Sequence, residues 1–522
     1  MPDNTVFNSQ QSEDRFQTLL NNANAARVIS QAVEGTIGPR GLDIMMIDKF
    51  GDVIVSNDGV TILRLMEVNH PAARMMINTA KAQQEAVGDG TTTATIIAGT
   101  LLAEGAGQVM KGIPVTRLLQ GIKTGIDASL DLLEKKSQKI GSLDDELLYK
   151  TALIAGREHE DLAGHIIEGA RLLGKEKMLS NDFHFADTII AREASRNQVF
   201  RGVVLNKETV NKQMPVCVED ALILVIDDAL APEEIAHEAM KTESGFQYYL
   251  DSRNKYEENL KKICSLGINM VVVDRGIDDT AEEIFTRAGI MVLQRVSSRE
   301  IDCLCRHTGA KKIKRSTLNA EADMLKTYLG RARKAVLDEK QQDISVLDGE
   351  GENWATIIVA ASTGELLDER ERMARDAASA VQAAVAGGIV PGGGAVEVWL
   401  ATQLEDMARD LEGLSSFGVL CVKEALLKPF ACIVNNSGFN ALEKLGDVIA
   451  AQRKHDSASI GLNCETGDII DVVQKGIVDP TLVKSHAILA AGEVALAILR
   501  ISSVIKMRNE GEKSDSSLIS YE

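Results

Sequence analysis

The chain has 522 residues, enough for roughly three domains with their own cores, and its 45% hydrophobic and 25% charged content is that of an ordinary globular protein. A net charge of −19 with 4% aromatic residues argues against a nucleic-acid binder, which wants basic surface and stacking rings, and no run reads as the ~18 apolar residues of a membrane helix. Seven scattered cysteines argue against a disulfide framework; with a polar opening stretch that is no signal peptide, they point to a reducing cytoplasm.

In chain order, residues from about 12 to 135 read as mostly helical, with Ala-rich amphipathic stretches at Phe16–Val33 and Pro71–Val87. Between them, Asp43–Asp48 and Val53–Val55 predict a hairpin turned by Gly51-Asp52. From about 203 to 360 short β-rich runs (Ala221–Ile226, Ile268–Val273, Ile290–Leu293, Ala355–Ala360) alternate with polar helical stretches, the pattern of an α/β domain. Within it, Ala231–Lys262 is long, charged and without strand signal. Its apolar positions, Ile235, Ala239, Phe246, Tyr249, Leu250, Tyr256 and Leu260, predict helices that project from the domain rather than build its sheet. After about 370 Ala-rich helices return, ending in Val483–Ile505 and a polar tail. Helical ends around an α/β middle predict a middle inserted into a domain built from both termini.

The most informative segment is Gly88-Asp89-Gly90-Thr91-Thr92-Thr93, which runs into an apolar helix. Glycines let backbone approach a ligand and adopt positive φ, and the free N–H groups of a helix start suit a phosphate. A carboxylate among them repels phosphate unless a cation lies between, so Asp89 argues for Mg²⁺ bridging protein and nucleotide. No Gly-Lys-Ser/Thr ending follows, so this is not a P-loop. Ser56-Asn57-Asp58-Gly59 is a turn signature on its own. Gly387-Gly388 and Gly392-Gly393-Gly394 read alone as a glycine-rich turn between helices, and Asp376 alone as a surface carboxylate.

Together these pieces resemble the chaperonins, specifically the group II type of archaea and the eukaryotic cytosol. The resemblance runs collinearly through Thr36–Gly41, Ser56–Leu63, His70–Ala73, Gly88–Thr93, Gly202–Leu205, Val390–Gly394 and Lys475–Pro480. It implies a multidomain α and α/β chaperonin fold. Residues 1–140 and 394–522 would form a mostly helical equatorial ATP-binding domain, 141–202 and 358–393 a small intermediate domain, and 203–357 an apical substrate-binding domain. The stretch 231–262 would be a helical lid protrusion in place of a separate co-chaperonin.

The resemblance also implies ATP and Mg²⁺ as cofactors and assigns roles to residues. Gly38 and Pro39 would start the phosphate loop. Gly90, Thr91, Thr92 and Thr93 would bind the β- and γ-phosphates beside Gly59, and Asp89 would ligate Mg²⁺. Asp58 and Asp376 would flank the γ-phosphate and orient or deprotonate the attacking water. Gly393 and Gly394 would pack on the nucleoside, and Asp479, where the family usually has Glu, would accept from the ribose hydroxyls. Phe246, Tyr248, Tyr249 and Leu250 are candidates to hold unfolded client proteins. Stacked rings of about eight or nine self-associated subunits would enclose the client.

One departure stands out. Where the family commonly has a γ-phosphate-sensing lysine, this chain reads Gly156-Arg157. Arg157 either supplies that charge, with a fork suited to phosphate, or is a surface arginine. The departure points toward a divergent, bacterial group III-like branch. Two rival functions are a small-molecule ATP-using enzyme with the same phosphate site and a holdase that has lost hydrolysis. Cys303-x-Cys305-x-His307 lacks zinc-site spacing and a second ligand pair, and is expected on a helix flanking the α/β domain.

Overall fold

The computed structural model describes residues 4–504 apart from 48, 52, 181, 194–195 and 234–241, with side chains from residue 16 onward, 365 aside. The chain divides into two compact units, Met1–Ile140 with Gly387–Glu522, and Gly141–Ala386. The first unit is thus built from both ends of the chain.

The first unit is a helical assembly centred on the helix Thr91–Met110, whose buried positions lie on every side, as expected of a core helix. Asn4–Glu34, Ser416–Asn436 and Thr481–Leu499 all pack against it. Helix starts and stops follow local chemistry. Pro71–Val87 begins with His70 accepting from Ala72 N–H and with proline in its first turn, and it stops at Gly88 with φ 70°. The predicted hairpin is present as Ile44–Ile47 paired antiparallel with Val53–Ser56; the expected bounding residue Asp48 and turn residue Asp52 lie outside the described residues.

Two expectations need correction here. The last described helix spans Thr481–Leu499 and not Val483–Ile505, and Ile501–Val504 carries no helix. That helix is also long and apolar enough to cross a membrane by length and composition, contrary to the reading that no run reaches that standard. Its apolarity serves the core: Val483, Ala487, Ile488, Ala491, Val494, Ala495, Ile498 and Leu499 are all buried.

The second unit is built on an eight-stranded mixed sheet in the order Ile189–Glu193, Ala355–Ala361, Gln198–Leu205, Asp343–Gly349, Gly330–Asp338, Cys217–Ile226, Met270–Val273 and Met291–Leu293. The last three strands run parallel with the helices Glu243–Ser265 and Asp279–Ala288 between them in the chain, a βαβ arrangement. Met270–Val273 is apolar and buried at every position, as a strand covered on both faces must be.

The predicted projecting stretch divides. On Glu243–Ser265, Phe246 and Tyr248 are exposed (52% and 57%), whereas Tyr256 and Leu260 are buried with Leu224, Val271 and Phe285. The Tyr256 hydroxyl lies within hydrogen-bond distance of Leu230 O and Asp278 Oδ1. This half of the helix is domain core, not projection, because its apolar residues fall on one stripe facing the sheet. Ile235 and Ala239 lie outside the described residues.

Candidate functional site

Most of the predicted site residues fall in the first unit, and the geometry brings them together. Asp58 is the N-cap of the helix Gly59–Leu65, its Oδ2 accepting from Thr61 N–H at 2.8 Å and Thr61 Oγ1–H at 2.6 Å. Gly59 then passes directly against the threonine run. A Cβ built there would collide with Thr92 Oγ1 and stand 3.2 Å from both Thr91 Oγ1 and Thr92 N. A side chain at position 59 would force the Thr92 hydroxyl to move and crowd the start of the Thr91–Met110 helix.

Asp89 lies between two glycines in the left-handed region, Gly88 at φ 70° and Gly90 at φ 78°, a conformation costly for residues with a Cβ. Its Oδ1 accepts from Gly90 N–H at 2.6 Å. Gly90 is the N-cap of a 20-residue helix and offers no side-chain cap, so the first-turn N–H groups of Thr91, Thr92 and Thr93 are presented to whatever anion arrives. The Asp89 pKa is raised, first by desolvation and then by the charges of Asp479 and Asp58, with Lys484 and the Gly90 N–H acting the other way. The charges of Asp479 and Asp58 thus add to the burial cost of ionising Asp89.

The other predicted site residues are assembled from distant sequence. Ile389–Pro391 pairs antiparallel with Val478–Pro480, setting Val390 opposite Asp479. Asp479 Cγ then lies 3.2 Å from where a Cβ on Gly392 would be. Gly393 and Gly394 complete the turn at φ 64° and 82°, and Gly394 rests on Phe430. Gly38, at φ 91°, lies against Ile433 of the same helix, Ser416–Asn436. Asn436 Nδ2 holds the approach to Gly38-Pro39 by donating to Glu34 O and Ile37 O, both at 2.9 Å.

Three site-building residues were not legible as motifs. Gln83 is fully buried; its Nε2 donates to Asp89 O at 2.8 Å and Val483 O at 3.2 Å, and its Oε1 pairs with His486 Nδ1 at 2.6 Å. It fixes the Asp89 loop to the C-terminal helix. Lys484 and Glu397 form a buried ion pair that also engages Asp479. The sequence signal for both was a lone charge inside an apolar helical run, which burial normally forbids unless paired.

Asp376 and Arg157 belong to the second unit. Asp376 lies on the helix Gly364–Gly387, half-buried among buried Met373, Ala374, Ala377 and Ala378. Gly156 ends the helix Glu146–Ala155, and a Cβ on it would lie 3.6 Å from Ala377 Cβ. Arg157 and Glu158 both adopt positive φ, 54° and 62°. The Arg157 guanidinium is ion-paired with Glu369, which Arg372 also engages, two helical turns before Asp376.

The Cys303–His307 segment lies on the helix Ser298–Thr308. His307 is fully buried, its Nε2 accepting from Gly349 N–H at 2.9 Å and its Nδ1 facing Glu352 O at 3.3 Å. These partners specify the neutral Nδ1–H tautomer and leave no lone pair for a metal. Among the described residues no group of three or more His, Cys, Asp or Glu is placed to hold a metal ion. A cavity of about 560 Å³ in the second unit has Arg192, Arg299, Cys303 and Trp354 in its wall. Arg192 pairs there with Asp343 and Arg299 with Asp187, and of the motif residues only Val203, Val204 and Cys303 line it, none of them a predicted nucleotide-site residue.

Comparison with known proteins decides the family. Residues 29–509 match the TCP-1/cpn60 chaperonin family. The chain belongs to that family. It is 33% identical over 509 residues to a thermosome subunit of Pyrococcus abyssi, covering 94% of this chain and 92% of the relative. It is 33% identical over 500 residues to thermosome subunit alpha of Halobacterium salinarum, covering 93% and 87%. Among solved structures, a group III chaperonin in the open state superposes with a TM-score of 0.86 at 40% identity, covering 94% of this chain and all of that one. The chain is a chaperonin of the group II type with the chaperonin fold, in a family of nucleotide-using ring oligomers that bind client proteins. The reading as an unrelated small-molecule ATP enzyme is set aside.

Proposed function

We propose that this chaperonin binds Mg²⁺–ATP at the Asp58–Asp89–Asp479 site, hydrolyses it, and uses the cycle to fold unfolded proteins inside cytoplasmic double rings of about eight or nine subunits. The observation that carries the nucleotide reading is the fit of Gly59 against Thr91 and Thr92, which leaves backbone and hydroxyls where a side chain would otherwise intrude. Gly38, Pro39, Gly59 and Gly90–Thr93 would bind phosphates, and Gly393, Gly394 and Asp479 the nucleoside. Asp89 would hold Mg²⁺, which supplies charge neutralisation and orientation of the phosphates. Burial and the charges of Asp479 and Asp58 disfavour the ionised Asp89 carboxylate, a cost that a bound cation would relieve. Asp58 and Asp376 would position and deprotonate the attacking water. Arg157 is the cation this chain offers where the family has lysine, held by Glu369 in the described state.

Three domains would make up the subunit: an equatorial domain of 1–140 and 394–522, an intermediate domain of 141–202 and 358–393, and an apical domain of 203–357; residues 387–393, however, cluster with the first unit, which moves that boundary to Gly387. The exposed Phe246, Tyr248 and Leu250 would hold client, and the part of 231–262 that precedes the core residue Tyr256 would serve as built-in lid without a separate co-chaperonin. The 40% identity to the group III chaperonin, with Gly156-Arg157, supports a group III-like subunit.

A chemically unfolded reporter enzyme tests the folding claim against a passive holdase. The protein is expected to suppress reporter aggregation, and Mg²⁺–ATP to release active reporter. Suppression with no effect of ATP on recovery supports the holdase, and no suppression contradicts client binding.

A further inference from the structure

Lys484, near the start of the helix Thr481–Leu499, is held from two sides. Its Nζ donates to Glu397 Oε1 at 2.6 Å and to Asp479 Oδ2 at 2.9 Å. Glu397 is 1% exposed, and its second oxygen, Oε2, is buried without a hydrogen-bond partner. Burial alone would lower the ammonium pKa, but the Asp479 and Glu397 carboxylates outweigh it and hold Lys484 charged.

Such a buried pair is a weak source of stability, since desolvation offsets much of the Coulomb gain. Its evident effect is geometric. Glu397 lies at the start of the helix that follows the Gly392–Gly394 turn, and Val483, beside Lys484, abuts Gly90. The ammonium therefore joins the glycine turn, the Asp479 strand and the helix against the phosphate loop. Asp479 itself is confined between Lys484 and the Gly392 backbone. An aspartate has one fewer rotatable bond than glutamate, so fixing one carboxylate oxygen fixes the other.

We propose that Lys484 is a positioning residue: anchored by Glu397, it holds Oδ2 of Asp479 and leaves Oδ1 as the acceptor for one ribose hydroxyl. This rests on the nucleotide reading of the site given above. The pair thereby sets selection for a ribonucleotide, a property that a purely structural ion pair would not govern.

Equilibrium binding of Mg²⁺ complexes of ATP, 2′-deoxy-ATP and 3′-deoxy-ATP to the full-length protein tests it. Wild type is expected to bind one of the two deoxy analogues about tenfold more weakly than ATP, the size of one lost hydrogen bond to a charged acceptor. In Lys484→Gln that ratio is expected to fall within about threefold, as in Asp479→Asn, because ATP binding weakens toward that of the analogue. Glu397 without its partner could prevent folding, so the double variant Glu397→Gln/Lys484→Gln, with unchanged cluster charge, carries the same expectation. A wild-type ratio retained in either variant overturns the positioning role. So does wild-type protein that binds ATP without discriminating either analogue, whereas wild-type protein that binds no ATP overturns the nucleotide reading beneath it.

Discussion

An Asp376→Ala variant is expected to hydrolyse ATP about 10²-fold or more slowly than wild type while binding ATP within a few-fold, roughly what loss of a positioned base costs. The substitution is structurally mild. Asp376 is half-buried, and the buried Met373, Ala374, Ala377 and Ala378 beside it keep their packing in the variant. Charges one and two turns earlier are paired among themselves and with Asp161: Arg375 Nε with Glu371 at 2.8 Å, Arg370 with Asp161 at 2.5 Å, and Glu369 with both Arg157 and Arg372. An alanine at 376 leaves that lattice of pairs in place. Single-turnover kinetics beside equilibrium ATP binding separate the two effects. Near-normal turnover would remove Asp376 from the chemistry, and a matching loss of binding would make it a binding residue instead.

Asp89→Asn is expected to have opposite effects on activity and stability. Asparagine keeps an oxygen for the Gly90 N–H, now at 2.6 Å from Oδ1, but it gives up the charge that would hold Mg²⁺. A metal's charge stabilisation is worth several kcal/mol, so Mg²⁺-dependent turnover should fall by about 10³-fold or more. Without nucleotide, the melting temperature should rise. Desolvation and the neighbouring Asp479 and Asp58 push the Asp89 pKa up, which means that the folded chain disfavours the ionised carboxylate. The stability tied to that carboxyl is present below its unfolded value of 3.8 and is lost as pH rises through the raised folded value. A neutral isostere escapes that loss at neutral pH. Calorimetry without nucleotide and ATPase assays across Mg²⁺ concentrations check both halves. A lower melting temperature with undiminished turnover would refute this account of Asp89.

Much of the site was readable because its chemistry is local. The Gly88–Thr93 run announced a positive-φ turn followed by a helix start, and both are present with Gly88 and Gly90 in the left-handed region. The hairpin strands Ile44–Ile47 and Val53–Ser56 were readable as two short apolar runs around a glycine turn. What escaped is non-local. Gln83 and His486, or Glu397 and Lys484, meet only after helices far apart in sequence have packed, and a glutamine in an amphipathic helix carries no signal of the carbonyls it will serve. The apolar run at Thr481–Leu499 was misjudged for a related reason. Lys484 interrupts the run in sequence, but in the fold it is buried against two carboxylates. The Glu243–Ser265 helix showed the limit of composition. Its charged, aromatic-bearing sequence reads uniformly, yet Phe246 is exposed and Tyr256 is core, a distinction set by where the sheet lies.

Self-assembly is the claim on which chamber-based folding stands. The hairpin presents Met45, Ile47, Phe50 and Val53 to solvent, with Phe50 80% exposed, an apolar display that a lone chain has reason to cover. The native mass of the purified protein, with and without Mg²⁺–ATP, tests this most directly by light scattering with particle imaging. Particles approaching a megadalton, made of two stacked rings of about eight or nine subunits each, are the predicted result. A monomer or dimer under every condition would contradict the account.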